Sequence, residues 1–220
     1  SKSIKLYFNS FNMTKMAAKR DVAIRSFEET SSRDLSRLLQ TDVQVKFQDG
    51  DRVNKKYDSP NMEWEIDDYL NVDLLDDHKD FIYTQYTEDP SLLEGITRKR
   101  DLEQKFYSGL LKSNCRVTSQ PDWGDVFIYI KSKTAIDAHS IKNYVVSYRD
   151  ECHFHEEICE CFYKRLKDAF DPSELLVMCL YARRGGIDIN PVRASSQDLI
   201  DKYAANLIDP EAVHIKTSKQ

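Results

Sequence analysis

The chain has 220 residues, a formal net charge of −5 and a hydrophobic fraction of 40%. This length suits one large domain or two small ones, and the hydrophobic fraction is ordinary for a protein that builds its own core. The acidic balance gives no basic footprint for direct nucleic-acid binding, and no run approaches the roughly 18 apolar residues of a membrane span. Five cysteines without regular spacing predict a reducing compartment, so we expect a cytoplasmic protein.

The first predicted helix carries a pattern that recurs later in the chain. Ser3–Phe11 and Ser140–Tyr148 share the pattern Ser-Ile-Lys-x-Tyr-x-x-Ser-aromatic. Both copies place apolar residues at the spacing of one helix face, namely Ile4, Tyr7, Phe8 and Phe11, and Ile141, Tyr144, Val145 and Tyr148. Chance similarity between two amphipathic helices is the alternative, and the matching order of the elements that follow argues against it.

A second helix and a strand are predicted after the first copy. The helix covers Arg25–Gln40, with a capping box from Ser31 and Asp34 at the start of its last part. The residues predicted to face inward are Leu35, Leu38 and Leu39. Alternating apolar residues then predict a strand at Val43, Val45 and Phe47.

The connection between the two copies is acidic, with runs at Glu63–Tyr69 and Asp73–Asp77. We interpret it as a solvated connector, because a metal site needs several carboxylates that converge on one point. Asp101–Leu111 is predicted as a short helix that leads into the next strand.

The second copy is predicted to be complete. Strands near Cys115–Thr118 and Val126–Ile130 precede its first helix. A second helix follows at His155–Phe170 and a buried strand at Leu175–Tyr181. The inward face of that helix is predicted to consist of Ile158, Phe162, Leu166 and Phe170. The unit is two strands, two helices and two strands, and we expect the chain to begin inside its first copy.

Cys115 and Asp122 are a candidate nucleophile and proton donor. A thiol with a pKa near 8.5 is only a few per cent thiolate at neutral pH, yet it is the best protein nucleophile for an electrophilic carbon. Attack on a carbon–nitrogen multiple bond leaves charge on nitrogen, which an Asp can protonate. We expect Pro121 and Gly124 to break the strand and turn Asp122 back toward Cys115. The alternatives are a buried structural cysteine and an Asp in an ordinary turn.

Two further segments carry polar chemistry. A His-x-His-x-x-x-Cys-x-Cys cluster runs from His153 to Cys161 and raises the alternative of zinc, although its spacing fits no standard zinc module. Arg183 and Arg184 precede two glycines and can cradle a phosphate. The alternative for this second segment is a hairpin turn with solvated arginines.

Five segments in order carry a resemblance to a known family: Ser1–Asn12, Leu111–Cys115, Gln120–Gly124, Phe154–Glu156 and Arg183–Pro191. The chain resembles the long, two-module form of the NADPH-dependent 7-cyano-7-deazaguanine reductases from residue 1 to about residue 193. The resemblance implies an α+β fold of tandem tunnelling-fold modules, each an antiparallel sheet with two helices on one face, with the first module incomplete at its N-terminus. It also implies reduction of a nitrile to an aminomethyl group with NADPH, on the way to queuosine in tRNA.

The resemblance implies roles for individual residues. Cys115 matches the nucleophile that forms a thioimide, and Asp122 matches the proton donor. Residues that match the substrate-holding motif are Phe154, His155 and Glu156, and His155 is also a candidate to move protons. Residues assigned to the cofactor are Ser1, Lys2, Lys5, Arg183, Arg184 and Gly185. Val192 departs from the family, where an aromatic residue is expected. No metal is implied.

The resemblance divides the chain at residues 50, 105 and 193. Residues 1–50 form the C-terminal part of the first module, 51–105 the acidic connector, 106–193 the second module with the nucleophile, and 194–220 a C-terminal tail. The expected partners are the small-molecule substrate and a second copy of the chain in a homodimer. Two alternatives stay open: a zinc-dependent, cyclohydrolase-like enzyme of the same fold, and a binding module without chemistry.

Overall fold

In the computed structural model the chain divides into two units, Ser1–Asp58 and Ser59–Gln220. The structure describes residues 7–8, 10–47, 69–75, 83–183 and 189–204. Among these residues, all strands belong to the second unit and the first unit contains one long helix. None of the helices in these ranges combines the length and the apolar character needed to cross a lipid bilayer.

The long helix of the first unit, α1, covers Arg20–Leu39. It begins before the predicted start and continues through Ser31 and Asp34, so the predicted capping box is wrong. Asp34 instead accepts a hydrogen bond of 2.8 Å from the Tyr7 hydroxyl. Leu35 is buried as predicted, whereas Leu38 and Leu39 are 76% and 56% exposed, so their predicted inward orientation is wrong. The predicted helix at Ser3–Phe11 lies partly outside the described residues; Tyr7 and Phe8 are helical.

The segment after α1 is extended, but it is not a strand. The backbone N–H groups of Val43, Val45 and Phe47 each donate a 2.9 Å hydrogen bond to a side chain of α1. The acceptors are Ser36, Ser32 and Glu28. Every second backbone N–H of this segment thus forms a hydrogen bond, as in a strand. The acceptors are side chains of α1 and not the backbone of a neighbouring strand.

The second unit is built on a seven-stranded sheet. Its strands are β1 (Leu70–Asn71), β2 (Gly95–Ser108), β3 (Lys112–Cys115), β4 (Pro121–Ile136), β5 (Cys152–His153), β6 (Glu174–Tyr181) and β7 (Val192–Ala194). The path β1-β2-β4-β3-β5 is extended by β6, which pairs with β4, and by β7, which pairs with β6. The long strands β2, β4 and β6 pair antiparallel.

Two predictions for this sheet need correction. The predicted helix at Asp101–Leu111 is wrong, because most of that segment belongs to β2, which pairs along β4 from Ser108 back to Gly95. The strand predicted at Cys115–Thr118 ends at Cys115, and a turn follows. The predicted order of two strands, two helices and two strands is present only in part, because β2 precedes the predicted opening strands β3 and β4, and the short strand β5 lies between the two helices.

Within its described residues, the second unit also contains three α-helices: α2 (Ala138–Ser147), α3 (His155–Phe170) and α4 (Gln197–Tyr203). The predicted helices at Ser140–Tyr148 and His155–Phe170 are confirmed, and the apolar faces predicted for both are buried in one core cluster with residues of the sheet. Asp137 caps α2 by accepting a 3.0 Å hydrogen bond from the His139 N–H. The start of α3 and the end of β6 meet the β3–β4 hairpin, and the candidate site lies there.

Candidate functional site

The β3–β4 hairpin sets the positions of Cys115 and Asp122. Cys115 ends β3, and its N–H donates to the Gln120 carbonyl while its carbonyl accepts from the Ser119 N–H, both at 2.8 Å. Asp122 lies opposite Ser113 in the register. Because side chains alternate along a strand, Ser113, Cys115 and Asp122 emerge on one face of the hairpin.

The hairpin turn, and not a break in β4, brings this pair to one face. The predicted bend at Pro121 and Gly124 is wrong, because β4 runs without interruption through both residues. The chain reverses earlier, where Ser119 adopts a left-handed conformation with φ of 53°. A left-handed residue at this point closes the turn between the two strands.

Asp122 and His155 form a buried pair. The His155 Nε2 lies 3.2 Å from the Asp122 Oδ1, and the two side chains are 7% and 4% exposed. His155 is the first residue of α3, so the start of that helix delivers the imidazole to the hairpin. Water screens the interaction within such a buried pair only weakly. Replacing one of its two side chains therefore lowers the stability of the fold. The structure thus brings together two of the residues predicted from the sequence.

Tyr181, the last residue of β6, lies behind His155. The two rings are stacked with centroids 3.9 Å apart and an interplanar angle of 9°. Burial raises the pKa of Tyr181 well above its usual value, so its phenol stays neutral. The sequence analysis missed this residue, because an aromatic residue at the end of an apolar strand looks like ordinary core.

Phe154 and Glu156 lie on the exposed side of the helix start. Phe154 is 44% exposed, and Glu156 is exposed. The Arg116 guanidinium, directly after the candidate nucleophile, sits 5.3 Å from the centre of the Phe154 ring and 2.9 Å from the Glu157 carboxylate. The backbone N–H of Phe154 lowers the pKa of Glu157, and Arg116 lowers it further. Arg116 and Glu157 were not singled out from the sequence.

The residues assigned to the cofactor lie mostly outside the described part of the structure: Ser1, Lys2, Lys5, Arg184 and Gly185. Arg183 is described and half-buried, two residues after Tyr181. Its position is fixed by the preceding Ala182 N–H, which donates a 2.8 Å hydrogen bond to the Trp123 carbonyl on β4.

The side chains of the His/Cys cluster do not converge. His155 contacts Asp122, whereas His153 lies 3.0 Å from the Glu151 carboxylate. The buried Cys159 thiol donates to the carbonyls of Val177 and Pro191. Among the residues that the structure describes, no group of three or more His, Cys, Asp or Glu side chains is arranged to hold a metal ion. The His and Cys residues of the segment His153–Cys161 therefore do not form a zinc site in the described structure.

Comparison with known proteins gives a consistent result. A family model described as "QueF-like protein" matches residues 121–199. A relative named NADPH-dependent 7-cyano-7-deazaguanine reductase from Psychrobacter cryohalolentis is 35% identical over 91% of this chain and 68% of its own length. A relative of the same name from Hahella chejuensis is 38% identical over 92% of this chain and 68% of its own length.

Among solved structures, the chain is similar to the apo form of the archaeosine synthase QueF-Like. The TM-score is 0.38 at 22% identity, over 43% of this chain and 92% of that one.

Proposed function

The chain belongs to the family of NADPH-dependent 7-cyano-7-deazaguanine reductases, and on that premise we propose how its residues perform the reaction. The enzyme reduces the nitrile of 7-cyano-7-deazaguanine to the primary amine of 7-aminomethyl-7-deazaguanine, a step that we assign to queuosine biosynthesis and tRNA modification. Two NADPH molecules, bound in turn, would each supply one of the two hydrides that this four-electron reduction requires. All five cysteines are free thiols, which is consistent with the cytoplasm.

One observation carries the residue assignment. Asp122 lies on the hairpin that also carries Cys115, on the face from which Cys115 emerges, and it is paired there with the buried His155 at the start of α3. A nucleophile and a proton-holding pair on one face are what addition to a nitrile requires. The separation of the site from water strengthens the interaction within the pair.

Cys115 begins the reaction as the nucleophile. Its sulfur bonds to the nitrile carbon, one π bond of the carbon–nitrogen triple bond breaks, and the nitrogen gains a proton. The thiol proton passes to the Asp122–His155 pair as Asp122 gives its own proton to the nitrogen, so the thioimide forms without net proton uptake. Asp122 delivers the proton to nitrogen, and His155, at 3.2 Å, exchanges the proton with it.

Phe154 and Glu156 hold the substrate at the entrance. The exposed face of the Phe154 ring suits stacking against a flat purine-like ring. The Glu156 carboxylate accepts hydrogen bonds when ionised, so it suits the N–H groups on the donor edge of the base.

Arg183, with Arg184 and Gly185, is proposed to bind a cofactor phosphate. A guanidinium forms the paired, charge-assisted hydrogen bonds that phosphate oxygens accept. Ser1, Lys2 and Lys5 stay predictions as further cofactor contacts. The sequence lacks the Gly-x-Gly-x-x-Gly fingerprint, so the mode of binding is not that of a Rossmann fold.

We also propose tandem tunnelling-fold modules, divided as residues 1–50, 51–105, 106–193 and 194–220, and a homodimer. On the outer side of β2, only Phe106 and Tyr107 pair with β1. The rest of this edge of β2 has no neighbouring strand among the described residues. An edge of this kind is a template for pairing with another strand. Light scattering of the purified chain tests the dimer, and the mass of a single chain at micromolar concentration would rule it out.

Turnover tests the catalytic proposal. The full chain with the nitrile substrate should oxidise two NADPH per nitrile and none without it. Without NADPH, Cys115 should carry the mass of one substrate molecule. Cys115→Ala should abolish both signals. Cys152→Ala, which removes an exposed thiol on the neighbouring β5, is the matched control and should keep both. Full turnover by Cys115→Ala would refute the mechanism.

A further inference from the structure

Tyr181 and Gly124 face each other across β6 and β4. They are direct partners in the antiparallel register. A Cβ built on Gly124 would lie 3.1 Å from Cδ1 and 3.3 Å from Cε1 of the Tyr181 ring, and 3.2 Å from the Leu180 carbonyl oxygen. These distances are tighter than ordinary van der Waals contact. The Tyr181 ring therefore lies over the glycine, in the space that any other residue would fill.

The backbone does not explain the glycine. Gly124 lies within a continuous strand, and its φ is outside the left-handed region that favours glycine. A glycine inside a strand weakens it, and a common reason for one is the close approach of another group. Here that group is the Tyr181 ring.

The position of the ring determines the position of His155. The imidazole lies almost parallel to Tyr181, with centroids 3.9 Å apart, so the stack fixes the ring plane. The contact between Nε2 and Asp122 then fixes the direction in which the ring edge points. An imidazole that is constrained in both respects has no freedom to rotate away from the carboxylate.

We propose that Tyr181 is a positioning residue for the reduction, and that Gly124 is required to admit it. This inference rests on the proposed function. Tyr181 acts through His155 on Asp122, which donates the proton to the nitrile nitrogen. The aromatic ring, and not the hydroxyl, performs this role, because the stacked contact with His155 is made by the ring.

The formation of the thioimide tests the inference without the hydride steps. The full chain is mixed with the nitrile in the absence of NADPH, and the rate of adduct formation on Cys115 is followed by intact mass at saturating substrate. Small misplacements of a reacting group can cost two orders of magnitude in rate. We expect Tyr181→Leu to slow adduct formation at least about tenfold, with little change in the substrate concentration at half-maximal rate.

Three further variants make the test specific. Tyr181→Phe keeps the ring and should react within about threefold of the wild-type rate. Gly124→Ala leaves each side chain of the site unaltered but displaces the ring, so it should also slow the reaction, and it serves as the test if Tyr181→Leu does not fold. Tyr129→Leu removes a buried tyrosine of the same sheet that belongs to the other core cluster, where its ring centroid lies 4.7 Å from that of Tyr203, and it should keep the wild-type rate.

The outcomes separate this inference from the proposed function. If the wild type forms no adduct, the proposed function fails. If the wild type reacts and folded Tyr181→Leu and Gly124→Ala match its rate, the positioning role is overturned. A loss of rate in Tyr129→Leu equal to that in Tyr181→Leu would also overturn it, because the effect would then come from general loosening of the sheet. A slow Tyr181→Phe would overturn the assignment to the ring.

Discussion

Asp122→Asn replaces the carboxyl group of the buried pair by an amide and leaves its shape nearly unchanged. The amide oxygen still accepts a hydrogen bond, but an amide cannot deliver a proton to the nitrile nitrogen. Because the two side chains are 4% and 7% exposed, water does not compensate for the change.

The effects on stability and on turnover should differ in size. The amide keeps a polar group of the same shape beside His155, so the free energy of unfolding should fall by no more than the contribution of one hydrogen bond, about 1 kcal/mol. General acid catalysis contributes about 10²–10⁴ in rate. The turnover number should fall by that factor, which corresponds to about 3–5 kcal/mol in the activation free energy.

The two quantities are measured on one preparation. Turnover is followed by NADPH oxidation at saturating nitrile, and stability by urea titration. Asp122→Ala is the companion variant; it leaves the buried Nε2 of His155 without this partner, and an unsatisfied buried polar group costs about 1–3 kcal/mol of stability. A turnover number for Asp122→Asn within about threefold of wild type would refute the proton-donor assignment. A stability loss larger than the catalytic loss would show that Asp122 is chiefly structural.

Three other predictions test the structure. The hydrogen bond from the Phe154 N–H lowers the folded-state pKa of Glu157. The stability that this carboxylate contributes is therefore fully present above its unfolded pKa of about 4.3, and it is lost as the pH falls through the lower, folded-state pKa. Glu157→Gln should therefore lower the urea midpoint at about pH 7 and flatten its fall toward about pH 3; an unchanged pH dependence would contradict this. Phe162→Ala empties a fully buried position and should cost about 3–5 kcal/mol in chemical denaturation; a loss below about 1 kcal/mol would contradict the packing. Leu38→Ala should change stability by less than about 0.5 kcal/mol, whereas Leu35→Ala should cost about 2 kcal/mol or more; equal losses in urea titration would contradict their different burial.

The two long helices of the second unit were predicted correctly because each buries one clear face. α2 and α3 repeat apolar residues at helical spacing because one side of each helix packs on the sheet. β2 was missed because its first seven residues are exposed on both faces, so they show no alternation. Leu102 and Phe106, four residues apart, then imitate the period of a helix.

The site was predictable in its residue types but not in its geometry. The sequence places Cys115 and Asp122 close along the chain, yet their common face depends on a register that a left-handed Ser119 sets. Gly124 was read as the end of a strand because glycine often interrupts one. Its contact with Tyr181 joins strands whose residues lie far apart in the chain, and no local pattern reports such a contact.

The hydrogen bonds between α1 and the segment that follows it have a consequence for protein engineering. Replacing an exposed helical serine by alanine is a routine way to raise helix propensity, with a gain of about 0.5 kcal/mol. Ser32 and Ser36 are half-buried helical serines, but each accepts a hydrogen bond from a backbone N–H of the segment that follows α1. Losing either acceptor costs about 1 kcal/mol. Ser32→Ala or Ser36→Ala, chosen for helix propensity alone, should therefore lower the stability of the first unit instead of raising it.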